Sequence, residues 1–184
     1  KSKPQFQGSD GTIQYTVLST AGVMSSHHAT TGDPKSGISK MLDEMKAMAK
    51  AKDICVLATV TGHKPYCSLM AYVTDQACTE IYMVTHRQSQ KYRNLMSNPA
   101  VSLMIDTRES SPRDKARAMT VEGVFEKVNN TEKLERIRRQ LLSVHPHLKQ
   151  FMNHPEAEIL RIKIKSFLLL NGLTQSSFAE INTP

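Results

Sequence analysis

The sequence predicts a mainly β protein of the α+β class, a small antiparallel barrel of about six strands with two or three flanking helices. Short runs that are apolar, or that alternate apolar with polar residues, recur between tight turns. The regular alternation of strands and helices that is typical of parallel sheets is missing. With 184 residues, the chain suffices for one ordinary domain but hardly for two. We expect an N-terminal arm over residues 1–37 and one domain over residues 38–184.

The first half of this domain begins with a predicted helix. Ser39 is its expected N-cap, and the apolar residues at helical spacing are Ile38, Met41, Leu42, Met45 and Met48. The continuous apolar run of residues 54–60 predicts a strand that is buried on both faces. After the turn at residues 61–65, the run of residues 66–74 predicts a second strand and completes a hairpin.

The second half reads as strand, helix and strand. Residues 119–128 alternate apolar with polar side chains, and Gly123 interrupts them as an expected bulge. A helix is predicted to begin near residues 129–131 and to continue through Leu142. Residues 160–170 then predict the last strand of the barrel.

Residues 81–106 predict a strand, a turn, a short helix and another strand. Ser89 is a good N-cap, and Asn98-Pro99 ends the helix. A helix N-terminus with Ser89, Gln90 and Lys91 suits a phosphate, because it offers N–H groups, a hydroxyl, an amide and an ammonium. Residue chemistry alone favours a simpler alternative, in which Ser89 only caps the helix and the nearby cations are solvated.

Composition excludes several classes of function. Lys and Arg number 24 against 17 Asp and Glu, but these charges are scattered without the aromatic interleaving of a nucleic-acid surface, so we expect no nucleic acid and rather a small anion. Glycine-rich nucleotide motifs, a Ser-His-Asp order and paired CxxC spacing are missing from the sequence. No apolar run reaches the length of a membrane span, and the three cysteines read as buried hydrophobes, so we expect a cytoplasmic protein.

Three histidines within ten positions, His145, His147 and His154, support a metal or haem hypothesis. Neither a carboxylate nor a cysteine completes an obvious ligand set, and histidines near prolines at helix ends are often simply exposed.

Several motifs together resemble those of the pyridoxamine 5'-phosphate oxidase-like family of flavin-binding split barrels. The resemblance covers residues 38–172 in order and spacing. The motifs are Cys55-Val-Leu-Ala-Thr59 with Pro65-x-x-Ser68, Thr85-x-x-x-Ser89-x-Lys91, Asn98-Pro99-x-Val101-Ser-Leu103, and the Gly-centred strand of residues 121–126.

The resemblance implies a six-stranded antiparallel split barrel that forms a homodimer, with one FMN in each of two clefts at the subunit interface. By position, Cys67, Ser68, Leu69 and Met70 would run along the isoalloxazine ring. The ribityl phosphate would be held by Val84, Thr85, Ser89, Gln90 and Lys91, with Arg87 supplying part of the charge.

Gln90 departs from this pattern, because the vitamin oxidases carry an arginine there, and no segment after Asn171-Gly172 corresponds to the one that seats the vitamin phosphate. We therefore expect an FMN-dependent oxidoreductase, a flavin reductase or a small-molecule reductase or oxidase, rather than a vitamin B6 enzyme. Its small-molecule substrate or electron donor and its catalytic residues stay unassigned. The alternatives are a haem-binding or haem-degrading split barrel that uses the three histidines, a non-enzymatic flavin-binding or electron-storage module, and a deazaflavin in place of FMN.

Overall fold

The computed structural model describes residues 34–172 and 175–181, without the side chains of residues 34–38 and 113. Within these ranges the chain forms eight strands, four α-helices and short 3₁₀ turns at Arg113–Lys115 and Pro146–Leu148. In chain order the elements are α1 (Pro34–Ala51), β1 (Ile54–Thr61), β2 (Lys64–Ala71), β3 (Val73–Thr74), β4 (Glu80–His86), α2 (Gln90–Ser97), β5 (Ala100–Asp106), β6 (Arg117–Glu126), α3 (Thr131–Val144), α4 (Lys149–Met152), β7 (Ala157–Asn171) and β8 (Gln175–Glu180).

All strands belong to one antiparallel sheet with the order β2-β1-β5-β6-β7-β4-β3. β8 also pairs with β7, beyond the end of β4. The two ends of the strand order approach each other where β2 contacts β4, so the sheet curves into an incompletely closed barrel. The predicted class, a mainly antiparallel split barrel with flanking helices, is confirmed, and the strand count is larger than the predicted six.

β6 and β7 are paired across a bulge in β7. Glu122 pairs with Ser166 and Gly123 pairs with Ile164, so one residue of β7 is left over between them. A Cβ at Gly123 would lie 2.5 Å from Cγ2 of Ile162, too close for any other residue without a local shift. A bulge at the predicted position is therefore confirmed, but its extra residue, Lys165, lies on β7, opposite Glu122 and Gly123.

Two apolar clusters cover the opposite faces of β4. Ile81 and Met83 point into the barrel with most of the apolar core, whereas Tyr82 and Val84 pack against α3 and α4. Alternation along a strand explains this division, because successive side chains point to opposite faces. The residues that meet Tyr82 and Val84 from the helices include Ile137, Leu141 and Met152.

α1 packs on the barrel core through Leu42, Met45 and Met48, which confirms the predicted amphipathic helix and its methionines as core residues. The predicted start at Ser39 is wrong, because the helix begins at Pro34. A proline suits the first turn of a helix, since its missing N–H would have no partner there.

The predicted single strand over residues 66–74 is interrupted at Tyr72. Its backbone N–H donates to the Asp53 carbonyl at 2.8 Å and its hydroxyl donates to the Ala49 carbonyl at 2.7 Å. These bonds turn the chain from β2 into β3. β8 was not predicted, and the proposed N-terminal arm lies mostly outside the described residues.

Among the helices in the described ranges, none is both long enough and apolar enough to cross a bilayer.

Candidate functional site

The candidate site is the turn between β4 and α2, where the sequence predicts an anion-binding helix N-terminus. Ser89 adopts an extended conformation as the N-cap of α2, and its hydroxyl accepts from the Tyr92 N–H at 3.3 Å. The Thr85 and Ser89 hydroxyl oxygens lie 2.9 Å apart and are hydrogen bonded. The predicted cap is thus confirmed, and the turn is fastened to the end of β4.

The first N–H groups of α2 are available to a ligand. The Ser89 side chain takes the Tyr92 N–H, whereas within the described residues the N–H groups of Gln90 and Lys91 have no acceptor. Such groups, at the positive end of the helix dipole, are the usual donors to a bound phosphate. We call the group formed by Thr85, Ser89, Gln90 and Lys91 the phosphate turn.

Lys91 is the cation of this turn. Its side chain is half-buried, and no carboxylate forms an ion pair with it in the part of the chain that the structure describes. Burial lowers the pKa of its ammonium below the ordinary lysine value, because the charged form loses solvation. A partly desolvated ammonium with no ion pair in the described ranges, on a residue that begins α2, fits the chemistry of a phosphate monoester.

The side chain of Gln90 is turned toward its own helix. Its Nε2 donates to Oδ1 of Asn94 at 2.8 Å, and its Oε1 accepts from Arg93 at 2.9 Å. Both ends of the amide are thus engaged within the helix, and the backbone N–H of Gln90 has no acceptor among the described residues.

Arg87 is held at the edge of the turn by an ion pair. Its Nε lies 2.7 Å from a carboxylate oxygen of Glu158, which raises the pKa of the guanidinium. This carboxylate offsets the charge of Arg87, while the remaining guanidinium N–H groups stay available. Glu158 could not be identified from the sequence as the partner of Arg87, because it lies 71 positions away.

Val84 lies on the opposite face of β4 from Thr85. Its side chain packs in the cluster against α3. Successive side chains of a strand point to opposite faces, so the side chain of the predicted site residue Val84 is not brought together with those of Thr85 and Ser89.

Strand β2 carries the other four predicted site residues at the free edge of the sheet. It pairs with β1 alone among the described strands, so one side of its backbone is open to hydrogen bonding. The side chains alternate: Cys67 and Leu69 are exposed on the outer face, whereas Ser68 lies half-buried and Met70 reaches the barrel core.

Leu69 is part of an exposed apolar face of the sheet. Its side chain is 74% exposed, and it pairs with Val56, which in turn pairs with Met104 on β5. The same face continues across β6 to Leu168 of β7, the partner of Thr120. We call this surface the outer apolar face, and its large exposed side chains are Ile54, Leu69, Met104, Leu168 and Leu170.

A cleft of about 840 Å³ lies on the other side of β4 from the phosphate turn, between α3 and the turn at residues 75–79. Its polar side chains are mostly engaged with the protein itself. Lys133 forms an ion pair with Glu80 at 2.7 Å, and Gln140 and Lys50 donate to carbonyl oxygens of the β3–β4 turn region. This cleft is separated from the phosphate turn by β4.

The three histidines of the haem hypothesis do not form one site. His145 is 3% exposed, and its Nε2 is hydrogen bonded to the Tyr72 carbonyl at 3.0 Å. His147 is exposed, and His154 stacks on His86 with ring centroids 4.6 Å apart. Within the described residues, no group of three or more His, Cys, Asp or Glu side chains is placed to hold a metal ion.

Comparison with protein families decides the classification of this fold. The family model described as pyridoxamine 5'-phosphate oxidase matches residues 41–171, which include both β2 and the phosphate turn. The chain belongs to this family. A search of curated proteins found no match.

Solved structures of this fold include proteins with different ligands in their names. A haem binding protein from Mycobacterium smegmatis has a TM-score of 0.65 at 20% identity over 74% of this chain, which spans just over half of that chain, 56%. A FAD-binding protein from Mesorhizobium loti has a TM-score of 0.57 at 17% identity over 74% of this chain and 92% of that chain. HutZ from Vibrio cholerae, described as a haem storage protein, has a TM-score of 0.59 at 19% identity over 71% of this chain and 93% of that chain. At these identities the similarity shows the fold and leaves the ligand open.

Proposed function

We propose that this protein is a flavoprotein that binds FMN at the phosphate turn and acts as an FMN-dependent oxidoreductase on a small molecule. The observation that carries the proposal is the combination, at one helix N-terminus, of the Thr85–Ser89 hydroxyl pair with N–H groups and a Lys91 ammonium that have no partner among residues 34–172 and 175–181. A phosphate monoester needs such donors and a cation. Haem has carboxylates but no phosphate, and therefore uses less of this arrangement.

In this proposal, each residue of the turn has a distinct part. Lys91 neutralises the phosphate, Ser89 and Thr85 offer hydroxyl groups, and the backbone N–H of Gln90 replaces the side-chain donor that an arginine would give. Arg87 adds positive potential at the rim through the N–H groups that Glu158 leaves free.

The isoalloxazine ring is proposed to lie along β2. The free edge of Cys67 to Met70 offers backbone N–H and carbonyl groups, which match the alternating donors and acceptors on the edge of a flavin ring. The bound flavin supplies the redox chemistry, and the chain positions the ring and limits its contact with water.

A second copy of the chain is proposed to cover the outer apolar face, which gives a homodimer with the flavin at the subunit interface. Monomeric proteins rarely expose so many large apolar side chains on one face of five adjacent strands, as Leu69, Met104 and Leu168 do here. Because this face adjoins Cys67 on β2, the partner would close the flavin cleft. The free thiols of the three cysteines are compatible with the reducing cytoplasm, where we propose that the protein works.

The visible spectrum of the purified protein tests the proposal. We expect a yellow protein, release of FMN on denaturation, and reconstitution of the apoprotein by FMN. The mass of the released chromophore separates FMN from a deazaflavin. Steady turnover of bound flavin by NAD(P)H and a small acceptor distinguishes an oxidoreductase from an electron-storage module. A colourless protein that takes up no added FMN would refute the proposal.

Haem binding is the second candidate, because His147 and His154 are exposed and relatives of this fold are named as haem proteins. Adding haem to the apoprotein and following the Soret band tests it. A band that shifts in wild type and in His63→Ala, but not in His154→Ala or His147→Ala, would support haem ligation by this segment. His63 is a matched control, since it is exposed at the tip of the β1–β2 hairpin.

A further inference from the structure

A chain of side-chain hydrogen bonds joins the phosphate turn to strand β2 through the interior of the protein. Gln90 Nε2 donates to Asn94 Oδ1 at 2.8 Å, and Asn94 Nδ2 donates to Thr59 Oγ1 at 3.0 Å. The Thr59 hydroxyl in turn donates to the Tyr66 carbonyl at 3.4 Å. Tyr66 precedes Cys67, where the proposed ring-binding segment begins.

The two central members of this chain are deeply buried. Asn94 is 1% exposed and Thr59 is 3% exposed. Buried polar groups destabilise a fold unless they are hydrogen bonded, and apolar residues would serve better if packing were the only requirement at these positions. Here Gln90, Asn94 and Thr59 each donate one hydrogen bond to the next group, and the three bonds run in one direction from α2 to β2.

The bonds connect elements that the backbone does not connect. α2 packs on β1, and Asn94 and Thr59 lie 35 positions apart in sequence. Thr85 and Ser89 fasten the same end of α2 to β4. The N-terminus of α2 is therefore fixed to both edges of the barrel split, to β4 directly and to β2 through Thr59.

We propose that Asn94 and Thr59 are positioning residues, which hold the phosphate turn and the ring-binding strand at the separation that one FMN molecule requires. This inference rests on the proposed flavin function. Neither residue needs to contact the cofactor. Both act by aligning two subsites, so that phosphate and ring are bound at the same time rather than one at the expense of the other.

The same chain gives a reason for glutamine at position 90. The side-chain amide of Gln90 donates a hydrogen bond to Asn94 and at the same time accepts one from Arg93. An arginine has only donors and would bring a second positive charge next to Arg93. We infer that this protein uses position 90 to align the turn rather than to bind the phosphate with a side chain.

Comparison of FMN with riboflavin tests the alignment, because riboflavin has the ring but lacks the phosphate. In Thr59→Val, which keeps the shape and removes the hydroxyl, we expect FMN to bind about 2- to 10-fold more weakly, the range for one hydrogen bond. Riboflavin binding should change less. The preference for FMN, which is the riboflavin dissociation constant divided by the FMN dissociation constant, should therefore fall. Thr59→Ser keeps the hydroxyl and should restore the ratio.

Thr74→Val is the matched control, since Thr74 is a partly buried strand threonine on the far side of β4 from the turn. The absorption band of bound FMN gives an independent readout, because misalignment changes the environment of the ring. Should Thr59→Val not fold, Gln90→Met is measured in the same way, since it removes the first bond of the chain at a partly buried helix position.

The outcomes separate this inference from the proposed function. A melting temperature that falls while the ratio and the flavin spectrum stay as in wild type would show a purely structural role and overturn the inference. Wild-type protein that binds no FMN would overturn the proposed function, and the inference with it. FMN binding that depends on Lys91 but not on Thr59 would leave the flavin function standing and reject the alignment alone.

Discussion

Replacing Lys91 is the most direct perturbation of the proposed phosphate site. Lys91→Ala removes a half-buried ammonium that forms no ion pair within the described residues, so few protein contacts are lost with it. A hydrogen bond to a charged group contributes about 1 to 3 kcal/mol, so we expect the FMN dissociation constant to rise about 5- to 150-fold. Riboflavin affinity should stay unchanged, because riboflavin has no phosphate.

The pH dependence of binding adds a second measure. Burial lowers the pKa of Lys91 in the free protein, so the ammonium loses its proton at a lower pH than an ordinary lysine. A bound phosphate favours the charged form and raises this pKa again. FMN affinity should therefore fall as the pH rises through the lowered pKa, and binding in that alkaline range should take up protons.

Isothermal titration calorimetry in two buffers of different ionisation enthalpy measures this uptake. Riboflavin is the control for ionisation of the flavin ring, which both ligands share. Lys91→Arg is the control for charge, since arginine stays protonated throughout and should bind FMN without proton uptake. Unchanged FMN affinity in Lys91→Ala, or equal proton uptake in the alanine variant and wild type, would refute the assignment of Lys91.

Three further predictions concern the rest of the fold. Leu69→Lys places a charge on the outer apolar face and should shift the protein from dimer to monomer in light scattering; Val144→Lys, at another exposed apolar position, on α3, should not, and a dimer in both would contradict the proposed interface. In Leu69→Lys protein freed of flavin, in which neither a partner subunit nor a cofactor covers β2, iodoacetamide near pH 8 should label Cys67 alone, because burial raises the pKa of Cys55 to about 12 and of Cys78 to about 11; mass spectrometry of this folded variant would contradict this by showing two or three adducts. Gly123→Ala should lower the free energy of unfolding by about 1 to 3 kcal/mol, since its Cβ would lie 2.9 Å from the Lys163 carbonyl, and an unchanged urea midpoint would argue against the close approach.

Local sequence signals predicted those parts of the fold that local interactions determine. Ser89 caps α2, Asn98 follows its end, and Gly123 lies at a bulge. The first two features depend on nearby residues, and the third depends on a single glycine. The predicted cap at Ser39 was wrong because Pro34 already begins that helix. β8 was missed because residues 175–180 are mostly small or polar, and they form a strand by pairing with β7.

The candidate site was predictable only in part, for the same reason. Ser89 and Lys91 follow from the helix signal, and Thr85 follows from the family resemblance. The sequence does not single out Asn94, which is one polar residue in a short helix. Its hydrogen bond to Thr59 exists only because α2 packs on β1. The pairing of Arg87 with Glu158 likewise depends on the β4–β7 register.

The position of β7 in the sheet has a consequence for the order of folding. β1 with β2, and β5 through β8, pair mostly with neighbours in sequence. β4 pairs with its neighbour β3 at two positions only, and its remaining partners are Ala157–Lys163 of β7. Pairing across such a distance closes a long loop and is slow compared with hairpin formation. During synthesis, β4 leaves the ribosome long before its partner strand exists. We expect the phosphate turn to be among the last parts of the molecule to become ordered. The cofactor would then bind only after the whole chain has been synthesised.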